Sequence, residues 1–431
     1  MKVRRSKNVK TRDDPGFGGI VYVHHRNDFF AASLDVYHVI RSLPYEFTEV
    51  PPDWYPTYSR LAGLGICETL DPVLEEIPYS GPSFLGKFQE VPCVDKPLVI
   101  NCFTTAYCPL SCIYCHADDL MKEYRNSEND INTVNGQIDL RNVISTTLLV
   151  PAMVAVLTGG DPLIKPERTI NLVEGLGKHM PLVVDTSGYG EIDKLLPIFH
   201  DYDVHVRVSL DSLSKENDQW RIINPKYRSI SAYSSSRESA LRTIDMCLEK
   251  GVGLTVQTVV HSKNDKYSQL LDLRDGLINL GVKNWVLHIA ISGGLARKKE
   301  MAVQKSRKVR GSVLPGNNVR PEIWKLIDET IRDDINIDIR CTDNNSTPNS
   351  VLLINSEGSL YTEGLAHNGK VKLFDAKTQK PCQFREMWAS IDWLGHSRRY
   401  LNWNPWYYNH KDLEKTCYLV PVPKDEKSIE I

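Results

Sequence analysis

Between about Pro97 and Asp334, short apolar runs alternate with stretches of helical period, and this alternation constrains the fold more than any other feature. The apolar runs lie at 97–103, 153–160, 181–188, 204–210, 253–260 and 284–290, with helical periodicity at 138–149, 167–179, 191–199, 236–250 and 268–280 between them. A strand that is apolar on both faces must be covered on both, and a helix after each strand returns the chain to run parallel to the last. The pattern predicts an α/β domain over 91–335, a partial (β/α)6 barrel with its chemistry at the C-terminal ends of the strands.

The flanks read differently. Residues 1–16 are polar and basic and are expected to form a mobile arm. A β run at Ile20–Val23, an apolar pair at Phe29 and Phe30, a helix from Leu34 to Leu43 and a second from Tyr58 to Leu64 give a small winged-helix-like α+β domain, placed with its linker at 17–90. The basic stretch 295–312 reads as a solvated surface loop, with a lid or peptide-docking strip as the sharper alternative. A helix over 321–333 precedes a β-rich C-terminal extension, 336–431, whose clearest element is a hairpin over 351–362 turning at Glu357–Gly358. The aromatic segment 400–409 suits a packed core or a groove wall.

Fifty-two Lys and Arg against 54 Asp and Glu leave a net charge of −2, which gives no global pull toward nucleic acid or anionic membrane. No apolar run approaches the ~18 residues of a membrane span. The N-terminus lacks the apolar segment of a signal peptide. These features predict a cytoplasmic protein without nucleic-acid or membrane partners. In that compartment ten cysteines are not a disulfide framework, and clustered ones bind metal or do chemistry. Cys108, Cys112 and Cys115 are clustered; Cys67, Cys247, Cys341, Cys382 and Cys417 are scattered, with Cys93 and Cys102 just upstream of the cluster. Three thiolates on one tight loop suit zinc, with His116 as a fourth ligand, or an iron–sulfur cluster with one iron left open.

The C-x3-C-x2-C spacing, with Tyr114 before the last cysteine and a β/α array around it, resembles the radical S-adenosylmethionine superfamily. The resemblance implies that Cys108, Cys112 and Cys115 hold a 4Fe–4S cluster whose open iron takes the amino and carboxyl groups of S-adenosylmethionine. Thr158–Pro162 resembles that family's Gly-Gly-Glu-Pro motif, with Asp161 where Glu is commoner. Tyr114, Gly159, Gly160, Asp161, Thr186, Ser187, Ser209, Asp211 and Gln257 are then the implied cofactor contacts, all near strand ends. For each polar residue among the later ones, a core or capping role fits as well.

Residues 17–70 resemble the leader-recognition domain of peptide-modifying enzymes, which implies capture of a precursor peptide as an added strand. The plainer alternative is an extension that covers an open barrel edge. The tail is similar to a degenerate SPASM/twitch extension: the hairpin is kept, but Thr362 and Glu363 stand where a second cysteine is expected and no C-x2-C pair follows. Joint ligation of an auxiliary cluster by Cys341, Cys382 and Cys417 stays open. The implied activity is reductive cleavage of S-adenosylmethionine to a 5′-deoxyadenosyl radical that modifies a ribosomally made peptide, with flavodoxin or ferredoxin as electron donor. The modification would be epimerisation, cross-linking or decarboxylation. Epimerisation needs a thiol hydrogen donor, for which Cys341 and Cys382 are the catalytic candidates. A radical enzyme acting on a sugar or nucleoside, and a zinc-stabilised binding protein, are the competing readings.

Overall fold

The computed structural model describes residues 1–14, 18–70, 96–306, 312–342, 351–362, 372–380 and 382–384. Two compact units divide the chain, one containing Met1–Lys96 and the other Pro97–Trp403. Among the described residues no helix is long and apolar enough to cross a membrane.

The N-terminal unit contains strands β1 (Lys2–Arg5), β2 (Val9–Asp14), β3 (Gly18–Val23) and β4 (Asp28–Ser33), helix α1 (Leu34–Arg41), strand β5 (Thr48–Glu49), helix α2 (Tyr55–Gly63) and strand β6 (Cys67–Thr69). They form two antiparallel three-stranded sheets, ordered β2-β3-β4 and β5-β1-β6. The expected mobile arm is therefore corrected: residues 2–14 are paired strands. Val3 and Val9 supply the reason, since both are buried in a common core with Val21, Val23, Phe30, Tyr37, Ile40 and Leu61. Their lysine and arginine neighbours alternate outward and hide the period-two signal.

The second unit opens with β7 (Val99–Thr105) and the short strand β8 (Leu110–Cys112). It continues through α3 (Asp118–Arg125), α4 (Val134–Leu149), β9 (Val154–Gly159), α5 (Pro166–Leu176), β10 (Leu182–Thr186), α6 (Ile192–Asp201) and β11 (His205–Ser209). Then come α7 (Glu216–Trp220), β12 (Arg221–Ile223), α8 (Ser236–Glu249), β13 (Leu254–Val260), α9 (Tyr267–Asn279), β14 (Asn284–Ile289), α10 (Gly294–Ser306) and α11 (Val319–Arg332). Last are β15 (Asp338–Thr342), β16 (Val351–Ile354), β17 (Leu360–Thr362) and β18 (Lys372–Phe374). The large sheet has ten strands in the order β15-β14-β13-β11-β10-β9-β7-β16-β17-β18. Pairing is parallel from β15 to β16 and antiparallel through β17 and β18. This is the expected α/β partial barrel with a β-rich C-terminal part.

Three details correct the sequence reading. The basic stretch expected as a loop folds as α10 over its first half. The first element inside the expected C-terminal extension, β15, is a further parallel strand of the barrel sheet, paired with β14. The predicted hairpin forms as β16 and β17, yet β16 pairs parallel with β7 and so belongs to the same sheet. Cys93, Cys417 and the aromatic segment 400–409 lie outside the described residues.

The faces of the sheet separate by alternation. Val184, Val206, Val208, Val256, Trp285, Leu287 and Ile354 pack against helix residues such as Leu172, Leu195, Ile244, Leu277 and Ile323. Each such buried aliphatic contributes about 1.5–3 kcal/mol. Trp285 is fully buried and its indole N–H donates to Thr258 Oγ1 at 2.9 Å. The residues between these positions point to the barrel interior, where the strands carry polar side chains.

Candidate active site

The cysteine loop leaves the end of β7. It is held by the short ladder between β8 and β12, in which Cys112 faces Arg221, and by Cys115 N–H donating to Cys112 O at 3.2 Å. Cys108 and Cys115 pack against Phe103, Ala106, Met121, Tyr124 and Tyr361, whereas Cys112 packs against Tyr114, Trp220 and Ala290. All three are partly buried and free of disulfides. Burial raises each thiol, Cys115 to about 12, and the charges of the neighbouring cysteines push the same way. Arg221 acts in the opposite sense on Cys112. Three soft donors that oppose one another's ionisation suit a shared cationic group. His116 is exposed as a residue, yet the protein around its ring lowers its pKa by desolvation. Among the described residues no three His, Cys, Asp or Glu side chains converge as one metal ion requires. A four-iron cluster makes no such demand, because each thiolate addresses its own iron.

Gly159, Gly160 and Asp161 leave β9 beside this loop. Gly160 N–H donates to Thr105 O at 2.7 Å and Asp161 N–H to Tyr107 O at 2.9 Å. A Cβ on Gly160 would lie 1.7 Å from the Tyr107 carbonyl oxygen. The glycine is thus required by the approach of the cysteine loop's own backbone, where the sequence reading placed a ligand. Asp161 is almost fully buried and its carboxylate accepts from Leu163 N–H at 3.0 Å, Thr186 Oγ1 at 2.8 Å, Ser187 N–H at 2.8 Å and the Ser187 hydroxyl. Thr186 Oγ1 also accepts from Gly188 N–H, and Ser187 Oγ from Tyr189 N–H. These hydrogen bonds tie the ends of β9 and β10 into one support under the cysteines.

Residues 103–273 match the family described as the Radical SAM superfamily. This segment is a radical SAM domain. The whole chain is similar in fold to the crystal structure of Streptococcus suis SuiB bound to S-adenosylmethionine, at 12% identity and TM-score 0.53, covering 91% of this chain and 89% of that one. It is also similar to SuiB bound to precursor peptide SuiA, at 14% identity and TM-score 0.54, covering 92% and 90%. Native anSMEcpe with bound AdoMet gives 15% identity and TM-score 0.51, covering 68% of this chain and 80% of that one. No curated protein sequence matches the chain. The cofactors of the superfamily are a 4Fe–4S cluster and S-adenosylmethionine, and the three soft thiols described above fit the first.

Across the mouth of the radical SAM domain, Asp211 anchors the other side of the cysteine loop. It accepts from Val259 N–H at 2.9 Å and from the Tyr114 hydroxyl, and lies 3.5 Å from Arg221, which itself donates to the Tyr114 oxygen at 2.6 Å. The Tyr114 ring stacks on His261 at 5.0 Å, and Trp220 meets the same imidazole edge-on at 4.7 Å. Tyr114, Asp161, Thr186, Ser187 and Asp211, expected as cofactor contacts, all make these internal bonds. Their geometry is that of positioning residues. Ser209 and Gln257 differ: they pair with each other at 3.0 Å and are only partly buried.

His261 carries a prediction. Its Nδ1 accepts from Lys263 N–H at 3.2 Å, so the proton sits on Nε2, which is buried without a partner. Burial lowers its pKa from 6.5 to about 4. The unfolded chain takes up a proton below pH 6.5 and the native one does not, so stability present above 6.5 is lost as pH falls toward 4. Urea unfolding is expected to show about 2 kcal/mol more loss between pH 7.5 and pH 5 for wild type than for His261→Gln. Equal losses would refute it.

Two polar groups escaped the sequence reading. Glu128, whose side chain is buried, accepts from Thr105 Oγ1 at 2.7 Å, from Ala106 N–H and from Lys165. Arg207 on β11 forms a two-pronged pair with Asp185 on β10 inside the barrel. The first sits in an irregular polar loop and the second depends on strand register, so neither has a local signature.

The structure places the catalytic candidates Cys341 and Cys382 in a different apolar cluster from the cysteine loop. Cys341 is buried in the apolar cluster with Leu287, Ile323 and Leu326, on the helix-covered face of the sheet, and Cys382 packs against that same cluster. Neither joins the apolar groups around Cys108, Cys112 and Cys115.

Proposed function

We propose that the protein is a radical S-adenosylmethionine enzyme that modifies a ribosomally made precursor peptide. The observation that carries this reading is the packing of Cys108, Cys112 and Cys115 at the end of β7, backed by Gly160 and Asp161, within the segment that matches the superfamily. Those cysteines would hold the cluster. The backbone at Gly159 and Gly160, with Ser209 and Gln257, would receive S-adenosylmethionine. When bound, the reduced cluster supplies the electron that cleaves S-adenosylmethionine and generates a hydrogen-abstracting radical. Asp211, Arg221 and Tyr114 fix the loop, and Asp161 fixes the opposite wall. The barrel interior excludes stray hydrogen donors from the reacting atoms.

A peptide substrate is supported by coverage. The 9% of this chain left out of the likeness to SuiB is shorter than Met1–Lys96, so the likeness extends into the N-terminal unit. That unit has two three-stranded sheets whose end strands pair on one side only among the described residues, and a sheet edge is where an extended peptide adds. Cys341 and Cys382 pack in the main core, apart from the groups around the cysteine loop, which favours cross-linking or decarboxylation over epimerisation.

Anaerobically reconstituted enzyme, given dithionite, S-adenosylmethionine and a candidate precursor peptide, is expected to release 5′-deoxyadenosine and a peptide lighter by two hydrogens or by carbon dioxide. One deuterium gained from deuterated water without mass loss would restore epimerisation. An unchanged peptide with turnover of a sugar or nucleoside would overturn the peptide reading. Deleting residues 1–70 is expected to weaken peptide binding roughly a hundredfold while S-adenosylmethionine cleavage persists; unchanged peptide affinity would remove the leader-binding role.

A further inference from the structure

Helix α10 begins directly on the cysteine loop. Gly294 has φ +48°, and a Cβ there would lie 2.3 Å from the carbonyl oxygen of Cys115 and 2.7 Å from that of His116. One residue on, Leu295 N–H donates to the Cys115 carbonyl at 2.8 Å. One turn further, Lys298 Nζ bridges Asp119 at 2.6 Å and Asp118 at 3.0 Å, the two residues that open α3 immediately after the loop. The basic helix therefore grips the last cysteine from both sides, at its peptide group and at the acidic turn that follows.

We propose that the start of α10 is a clasp that positions Cys115, with Gly294 and Lys298 as its two positioning residues. This rests on the reading of Cys108, Cys112 and Cys115 as cluster ligands, and it lies outside the residues 103–273 that match the superfamily. The physical logic is one of preorganisation. Cys115 sits between a hairpin strand and α3, and a cluster ligand held by flexible backbone must be ordered each time the cluster binds. The Leu295 bond fixes the orientation of the Cys115 peptide. Gly294 permits that bond, because any side chain would collide with the carbonyl it serves and a left-handed backbone disfavours other residues. Lys298 shares Asp118 with Lys122, pairs with Asp119, and so ties α10 to α3.

The test uses the full chain as wild type, Gly294→Ala, Lys298→Ala and Lys298→Arg, each reconstituted anaerobically with iron and sulfide. Iron content, the EPR line shape of the reduced cluster, and the rate at which excess chelator bleaches the visible absorbance are measured, beside urea midpoints of the metal-free forms. Gly294→Ala is expected to bleach on the order of tenfold faster with an altered EPR signal. Lys298→Ala should bleach about threefold faster, with an unchanged metal-free midpoint and rescue by Lys298→Arg. Should Gly294→Ala fail to fold, the two Lys298 variants decide alone. A coloured wild type matched by every folded variant overturns the clasp alone. A colourless wild type overturns the cluster reading and the clasp with it.

Discussion

Replacing Cys108, Cys112 and Cys115 together with alanine is expected to give a folded, colourless protein that releases no 5′-deoxyadenosine. The argument for folding is that these thiols are not what holds the metal-free loop. The loop is held by the β8–β12 ladder, by Asp211 and Arg221 on Tyr114, and by the backbone bonds from Gly160 and Asp161. Burial raises all three thiols, so the metal-free protein holds them neutral and alanine removes no charge on which the fold depends. The argument for complete loss is that no other described cysteine shares their surroundings, Cys341 and Cys382 being packed into the main core. Iron analysis, visible absorbance and chromatography of the nucleoside product check it. Retention of both colour and deoxyadenosine would move the cluster elsewhere in the chain.

The second large effect is expected at Asp161. Its carboxylate is the common acceptor for Leu163, Thr186 and Ser187, joining the ends of two strands. In Asp161→Ala the two hydroxyls can rotate toward other acceptors, but the N–H groups of Leu163 and Ser187 cannot. An orphaned buried donor costs about 1–3 kcal/mol, so the variant should lose about 2–4 kcal/mol of stability. Gly160 then loses its backing against Tyr107, and S-adenosylmethionine binding should fall at least about tenfold. Urea denaturation and equilibrium dialysis measure the two effects. A variant within about 1 kcal/mol of wild type would show that the support is made by other contacts.

What could be read in advance follows from range. Parallel strands such as Leu182–Thr186 and His205–Ser209 announce themselves, because burial on both faces demands an unbroken apolar run. The cysteine triplet and the Gly159–Gly160 pair are likewise local patterns. Strand β2 was obscured by charge, since Lys10 and Arg12 alternate with the inward Val9. Helix α10 looked like a loop because lysine and arginine dominate it and a glycine pair precedes it. Thr186 and Ser187 on Asp161, and Val259 and Tyr114 on Asp211, lie 25 to 97 positions away along the chain, and only the folded register brings them together. Residue type marked these two aspartates as important; the hydrogen bonds that tie them to neighbouring strands had no local signature.

The end strands of the large sheet, β15 on one side and β18 beyond β16 and β17 on the other, do not pair with each other among the described residues. A closed barrel admits only what passes through its ends, which favours small diffusing metabolites. Wherever a sheet stays unpaired along one seam it can be entered from the flank, so a long polymer can lay one internal residue against the reactive mouth while both of its termini stay outside. Modification partway along a chain then needs neither threading nor unfolding of the host.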